Sequence, residues 1–106
     1  LGIPMVVKAD NSRQEFSREK LLRGIRSACA KRPVKKKKIE QLVDDIEREL
    51  QMEGQREISS RVIGDKVIAG LKSLDQIAYV RYAIVYLQLD DLLSLRKEID
   101  RLLSES

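Results

Sequence analysis

Residues 5–21 read MVVKADNSRQEFSREKL, and the turn and the helix start within them set the rest of the architecture. The first residues are partly β-branched, and Asp10 and Asn11 are turn formers that tolerate positive φ, so the pattern predicts a tight β-hairpin. Ser17 is a side-chain cap for a helix, and Glu19 suits the positive end of the helix dipole. The stretch therefore predicts a hairpin that leads directly into a helix.

Apolar residues at helical spacing predict five helices in all. The first ends before Pro33, a basic connector covers residues 31–38, and the second carries a stripe over residues 39–50 and stops at Gly54. A short third strand is expected at residues 56–58. The remaining starts follow from capping residues, which are Ser59 or Ser60, Asp75, and Asp90 or Asp91. The fourth helix is expected over Ile77 to about Leu89, and the predicted fold is α+β, mostly α, with a small helical bundle capped by the hairpin and the third strand.

The composition excludes several kinds of protein. The chain has 106 residues, no His and one Cys, so it alone cannot form a His-dependent triad, a His-based metal site or an internal disulfide. No grouping suits acid–base or nucleophilic catalysis, and the glycines form no phosphate-binding fingerprint, so an enzyme is not expected. No apolar run approaches the ~18 residues of a membrane span, and no membrane partner is expected.

Charge is distributed unevenly along the chain. Residues 1–38 hold twelve Lys or Arg against three Asp or Glu, a net charge of +9, whereas the rest carries −5. This asymmetry predicts an anionic partner for the first third, which is a nucleotide, a nucleic acid or an acidic protein surface. The run Lys35–Lys38 has no interleaved aromatic residue, which favours a solvated linker and helix start over a nucleic-acid contact.

Two lysines near the hairpin are candidate anion ligands. Lys8 lies on the first strand and Lys20 in the first turn of the first helix. If the hairpin folds over that helix start, both ammonium groups and several free backbone N–H groups converge on one anion. The alternative is a hairpin whose lysines are simply solvated.

The predicted fourth helix carries all three tyrosines. Tyr79, Tyr82 and Tyr86 fall at i, i+3 and i+7 and share one broad face, which borders either the core alone or both the core and a pocket. Arg81 leaves that face, so we expect it at the surface or against an anion, such as an acidic patch on a second copy. Cys29 continues the apolar stripe of the first helix and is expected to be a core residue.

Several of these segments together resemble a known family. The opening of the chain is similar to the start of an ATP-cone domain, which is commonly written V-x-K-R-D-G and followed by a strand and a K-[IL] helix start. Three further segments resemble the cone of the NrdR family, bacterial transcriptional repressors of ribonucleotide reductase genes; they are Lys31–Val34, Arg56–Gly64 and Leu74–Tyr86. Two departures are Ala9, where the family commonly has Arg, and Asn11, where it has a turn Gly.

The resemblance implies a nucleotide-sensing regulatory domain that binds ATP or dATP, with Mg accompanying the nucleotide, and that controls oligomerisation of the repressor. The implied nucleotide-binding residues are Val6, Lys8, Gln14, Glu15, Lys20, Ser60, Gly64 and Tyr79, with Gln14 or Glu15 at the ribose or holding the hairpin. Arg81 and Tyr86 are the predicted interface residues of a homo-oligomer. The alternatives are the regulatory cone of a ribonucleotide reductase and a small basic nucleic-acid-binding module.

The resemblance also implies a domain division and a location. We expect an ATP-cone over residues 1–91 and a C-terminal helix, tail or oligomer contact over residues 92–106. In the family a four-cysteine zinc ribbon precedes the cone, so zinc and DNA are expected only through such a segment, which this sequence does not contain. The expected location is the bacterial cytoplasm, at the nucleoid for the full repressor.

Overall fold

The chain begins with the predicted β-hairpin. The computed structural model describes residues 3–105, in which β1 (Met5–Val7) pairs antiparallel with β2 (Arg13–Glu15). Asn11 occupies the left-handed region at φ 69°, and the Asp10 side chain accepts from the Ser12 amide at 2.9 Å. An amide side chain is well tolerated at positive φ, so Asn11 makes the turn without a glycine.

A third strand completes the sheet from far along the chain. The strand β3 (Glu57–Ser59) runs parallel to β1, with Val6 opposite Ile58, and the strand order is β2-β1-β3. Arg13 Nε lies 2.6 Å from Glu57 Oε2, an ion pair that joins the two outer strands across β1. The hairpin is thereby fixed to the segment that opens the third helix.

The first two helices pack against each other. The helix α1 (Arg18–Ala28) is capped by Ser17, as predicted, and α2 (Lys36–Glu53) ends at Gly54, whose φ of 64° lies in the left-handed region. The predicted basic connector is too long, because α2 begins at Lys36 and its first turn contains three of the four lysines. Lysine is a good helix former and no Pro or Gly interrupts the run, so the helix extends back to it.

Three further helices follow, with caps as predicted. They are α3 (Ser60–Leu74), capped by Ser59, α4 (Gln76–Tyr86), capped by Asp75, and α5 (Leu92–Ser104), capped by Asp91. The helix α4 ends earlier than expected, since Gln88 adopts φ 55° and turns the chain away. Within residues 3–105, no helix combines the length and the hydropathy that crossing a bilayer requires.

The core is aliphatic and lies between α1, α2, α3 and α4. Ile25, Val43, Val67 and Leu71 are fully buried, and Ile58 joins them from β3. Cys29 is buried among them, as predicted. The structure thus confirms the α+β, mostly α fold, with five helices and a three-stranded sheet in the described part of the chain.

Candidate functional site

A cavity of about 360 Å³ lies between the hairpin and the starts of α1 and α3. The hairpin covers it from one side, and Ser17 and Ser60 bring it against the first turns of two helices. Backbone N–H groups in the first turn of a helix have no partner within the helix and favour anions. The residues lining the cavity are Val6, Lys8, Gln14, Glu15, Phe16, Ser17, Lys20, Leu21, Ser60, Ile63, Gly64, Tyr82 and Tyr86.

Seven of the eight predicted nucleotide-binding residues line this cavity. Val6, Lys8, Gln14 and Glu15 come from the hairpin, Lys20 from α1, and Ser60 and Gly64 from α3. They are separated by up to 58 positions in the sequence and meet because β3 pairs with β1. Nucleotide binding in this cavity is a prediction.

Tyr79 is the exception, because it does not line this cavity; its role in nucleotide binding stays a prediction. Its side chain is 1% exposed and its hydroxyl donates to Glu98 Oε2 at 2.5 Å and accepts from Arg101 Nη2 at 2.8 Å. Burial, followed by the hydrogen bond to Glu98, raises the pKa of Tyr79. The tyrosine face of α4 is broad enough to meet two neighbours, and Tyr79 lies on the side of α5 rather than on the side of the hairpin.

Tyr82 and Tyr86 form the aromatic wall of the cavity. Their ring centroids are 6.1 Å apart with the planes tilted by 30°, and burial raises the pKa of Tyr82. The Tyr86 hydroxyl donates to the Arg61 carbonyl at 2.8 Å and to Asp65 Oδ1 at 3.0 Å. Tyr86, predicted as an interface residue, thus contributes to the cavity; a contact with a second copy stays a prediction.

Gly64 lets the Tyr86 ring approach α3. A Cβ atom on Gly64 would lie 2.0 Å from Tyr86 Cε1, a separation that no real pair of carbons adopts. The ring therefore occupies the space that any other residue at position 64 would fill. Because Gly64 has no side chain, the Tyr86 ring can pack against α3, and the position of this ring shapes the cavity.

Lys8 and Lys20 are the cationic side chains of the cavity, and neither has a carboxylate within 4.0 Å among residues 3–105. Some cations elsewhere in the fold are paired; Arg18, for example, pairs with Asp44 at 2.7 Å and with Glu47 at 2.9 Å. Two ammonium groups without an ion-pair partner among residues 3–105 lie beside two helix starts, and together with the single carboxylate of Glu15 they leave the lining with net positive charge, which favours an anion. The arrangement supplies positive charge at one end and aromatic surface at the other.

A second cavity, of about 460 Å³, lies on the far side of the same two tyrosines. It is lined by Gly24, Ser27, Ala28, Arg81, Tyr82, Val85 and Tyr86. Arg81 is exposed, as predicted, but its guanidinium donates to the carbonyls of Ala30 at 2.7 Å and Ala28 at 3.2 Å rather than to a carboxylate. It therefore satisfies the last carbonyl of α1 and one just beyond the helix end, where a cation also complements the helix dipole.

An ion pair links the connector after α1 to the start of α4. Arg32 Nε lies 2.8 Å from Asp75 Oδ2, and the same carboxylate accepts from the Ala78 amide at 2.9 Å. The guanidinium, followed by that amide, lowers the pKa of Asp75. Asp75 thus serves both as the cap of α4 and as its attachment to the rest of the bundle.

Sequence reasoning missed several members of the cavity, namely Phe16, Ser17, Leu21, Ile63 and Tyr82. Ser17 was predicted only as a helix cap. Its position three residues before Lys20, a predicted ligand, could have indicated that it also lines the cavity. Tyr82 follows Tyr79 by three positions, and choosing between them requires the packing partner of each side of α4. No cluster of three or more metal-ligating residues occurs among residues 3–105.

Comparisons with known proteins identify a family and relatives of this chain. Residues 4–92 match the family described as ATP cone domain. The chain is 52% identical over 101 residues to the transcriptional repressor NrdR of Acetivibrio thermocellus, covering 95% of this chain and 67% of that protein. It is 47% identical to the NrdR of Syntrophotalea carbinolica, covering 97% and 66%, and 47% identical to that of Brevibacillus brevis, covering 96% and 64%. The chain therefore spans about two thirds of the length of these relatives.

Proposed function

Since the chain belongs to the ATP-cone family and, within it, to the NrdR family of transcriptional repressors, we propose that it binds ATP or dATP in the cavity beneath the hairpin and thereby controls self-association of a repressor of ribonucleotide reductase genes. Its role is regulatory rather than enzymatic, in line with the repressor names of the relatives and the regulatory nature of the cone. The observation that carries the proposal is that Lys8 and Lys20 line the same cavity beside two helix starts.

The triphosphate lies, in this proposal, at the positive end of the cavity. Lys8 and Lys20 provide charge-assisted hydrogen bonds, and the amides at the start of α1 and of α3 add backbone donors. Because Ala9 replaces the arginine common in the family, these two lysines carry more of the phosphate binding than they do where that arginine is present. Mg²⁺ accompanying the nucleotide would have Glu15 as the nearby carboxylate of the cavity lining.

The adenine and the sugar occupy the other end. Tyr82, Phe16 and Ile63 offer apolar surface on which a base can stack. The Tyr82 hydroxyl has no hydrogen-bond partner among residues 3–105 and is free to meet a ligand. Gln14 or Glu15 lies at the ribose, where ATP and dATP differ by one hydroxyl, and a polar group built for that hydroxyl discriminates strongly against its absence.

Regulation follows from differential affinity. A nucleotide shifts the balance between two assemblies only if it binds them with different affinity, so ATP and dATP act as opposing effectors when the cavity differs between assemblies. The repressor relatives support a cytoplasmic location for such a switch. DNA binding by the full repressor, and the zinc ribbon that would provide it, lie outside the residues described here.

Calorimetric titration with ATP, dATP and GTP tests the proposal on four forms of the chain. Wild type should bind the adenine nucleotides in preference to GTP. Lys8→Ala and Lys20→Ala should each weaken ATP binding at least tenfold, since a hydrogen bond to a charged group contributes about 1.5–3 kcal/mol. Lys37→Ala is the matched control, because Lys37 is an exposed lysine of α2 that does not line the cavity.

The result that contradicts the site is unchanged ATP affinity in both cavity variants with circular dichroism intact. Salt dependence separates the nucleic-acid alternative. A backbone binder loses affinity steeply with salt in proportion to the phosphates it neutralises, and it would lose affinity for Lys37→Ala as well. A pocket for one nucleotide shows a shallow salt dependence and keeps its preference for adenine.

A further inference from the structure

The last helix, α5, is attached to the bundle along one side only. Leu102 is buried, and Glu98 meets the Tyr79 hydroxyl at 2.5 Å while Arg101 pairs with the same carboxylate. Glu105 pairs with Lys72 of α3. These contacts fix which side of α5 points inward and leave the opposite side to solvent.

That opposite side has a regular composition. Leu93 and Leu103 are 61% and 60% exposed, and the side chains of Arg96 and Asp100 are 79% and 67% exposed. The four positions are spaced by three, four and three residues, so they fall within about 80° around the helix axis. This is the seam spacing of a helix that packs against another helix. We call these four residues the α5 seam.

The α5 seam is self-complementary when a second copy is placed antiparallel to it. Positions 93 and 103 are equidistant from position 98, and so are positions 96 and 100. About a twofold axis at position 98, Leu93 therefore meets Leu103 of the second copy, and Arg96 meets Asp100 of the second copy. Each contact occurs twice, which gives two apolar pairs flanking two ion pairs.

We propose that α5 is a homodimerisation surface, on which the α5 seams of two copies pack antiparallel about Glu98. The charge pattern argues for a second copy as the occupant, because the cation and the anion stand where the twofold axis pairs them. Within one helix Arg96 and Asp100 are only loosely paired, at 3.9 Å, so both remain available to the partner. The inference deepens the self-association proposed above by naming a surface, and it requires no nucleotide.

The expected strength is low. One helix face buries less than the ~800 Å² per partner of a standard stable interface. We expect a dissociation constant on the order of 0.1–1 mM for the chain alone, which becomes effective when other contacts already hold two copies together. The seam then contributes orientation and register to a larger assembly.

Sedimentation equilibrium without nucleotide, over a wide range of protein concentration, tests the pairing through charge reversal. Arg96→Glu makes both charged positions of the seam negative, and Asp100→Lys makes both positive, so each variant alone should associate at least tenfold more weakly than wild type. An equimolar mixture of the two variants restores opposite charges at every contact and should associate at least as well as wild type. Lys37→Glu, a charge reversal on α2 away from the seam, should leave association unchanged.

A wild type that stays monomeric throughout, or a mixture no more associated than its components, overturns the proposal. Leu93→Gln provides a second variant that keeps all charges and should also weaken association. ATP titration of the same variants separates this proposal from the nucleotide site, since Arg96 and Asp100 do not line the cavity. If the charge-reversal variants lose association but still bind ATP, the α5 seam is supported. If wild type does not bind ATP at all, the nucleotide site is refuted, and the charge-reversal experiment still tests the seam.

Discussion

Replacing Gly64 by Ala should damage the candidate site by displacing one aromatic ring. The new Cβ would lie 2.0 Å from Cε1 of Tyr86, 2.4 Å from Cζ and 2.7 Å from Cδ1. Ordinary carbon contacts require about 3.5–4.0 Å, so the ring must move by roughly 1.5–2 Å. The Tyr86 hydroxyl, held at 2.8 Å from the Arg61 carbonyl and at 3.0 Å from Asp65 Oδ1, cannot follow that movement and keep both bonds.

The change in the free energy of unfolding caused by Gly64→Ala has three contributions. Forcing a methyl group into a packed position costs about 1–3 kcal/mol. Each weakened hydrogen bond costs about 0.5–1.5 kcal/mol. Alanine in a helix interior is more favourable than glycine by about 1 kcal/mol, which offsets part of this loss of stability. We therefore expect Gly64→Ala to lower the free energy of unfolding by about 1–5 kcal/mol and to weaken ATP binding about tenfold or more.

Gly70→Ala is the matched control on the same helix. Its Cβ would also be crowded, 2.2 Å from Cδ1 of Leu42, but that atom ends a flexible side chain that does not line the cavity. Urea unfolding gives the stability of each variant, and calorimetry gives its ATP affinity. Gly70→Ala should lose about 0–2 kcal/mol of stability and should keep wild-type affinity.

Two results would refute this reasoning. Wild-type ATP affinity in Gly64→Ala at reduced stability would mean that the Tyr86 ring does not shape the binding site. Equal losses of affinity in both glycine variants would mean that affinity follows general stability rather than the cavity wall.

Three other residues give simpler tests. Cys29 is buried, and burial raises its pKa, so a thiol reagent at pH 8 should label it far more slowly in the native state than in denaturant. Arg81→Ala should lower the free energy of unfolding by about 1–2 kcal/mol through loss of its bonds to the carbonyls of Ala28 and Ala30. We also expect it to impair self-association more than ATP affinity, measured by light scattering and by titration on one sample. The folded pKa of Asp75 is depressed, so its stabilising effect is present above the unfolded value of about 3.9 and is lost as the pH falls through the lower folded value; Asp75→Asn should remove this part of the acid dependence, measured by unfolding at pH 7 and at pH 3.

Local chemistry made most of the fold predictable. Asn11, Ser17 and Gly54 each act through their own backbone or through the next few residues, so the turn, the cap and the helix end are visible in the sequence. Helix ends made by other residue types were not visible. Gln88, at φ 55°, ends α4 without the glycine or asparagine that usually marks a left-handed residue.

The part of the candidate site that lies between the hairpin and the start of α1 was predictable, because both of these elements were predicted from the sequence. Lys8 and Lys20 followed from that junction alone, whereas Ser60 and Gly64 entered only through family resemblance. Tyr79 lies against α5 and outside the cavity, and its neighbour was not predictable, because helical periodicity assigns residues to a face and does not say which neighbour covers each part of it. Arg81 was expected at the surface or against an anion; it is at the surface, and its acceptors are backbone carbonyls, which no pattern of side chains reveals.

The parallel pairing of β1 with β3 also determines when during folding the cavity comes into existence. Val6 and Ile58 are 52 positions apart, and closing a loop of that length costs about 3–4 kcal/mol of chain entropy before the pairing repays it. The hairpin, α1 and α2 form from neighbours in sequence and need no such closure. During synthesis Lys8 and Lys20 therefore emerge early, but the cavity lacks the lining residues of α3 and α4 until these helices have left the ribosome. A nascent chain that ends before Tyr86 has the ligands for an anion and no site in which to hold it.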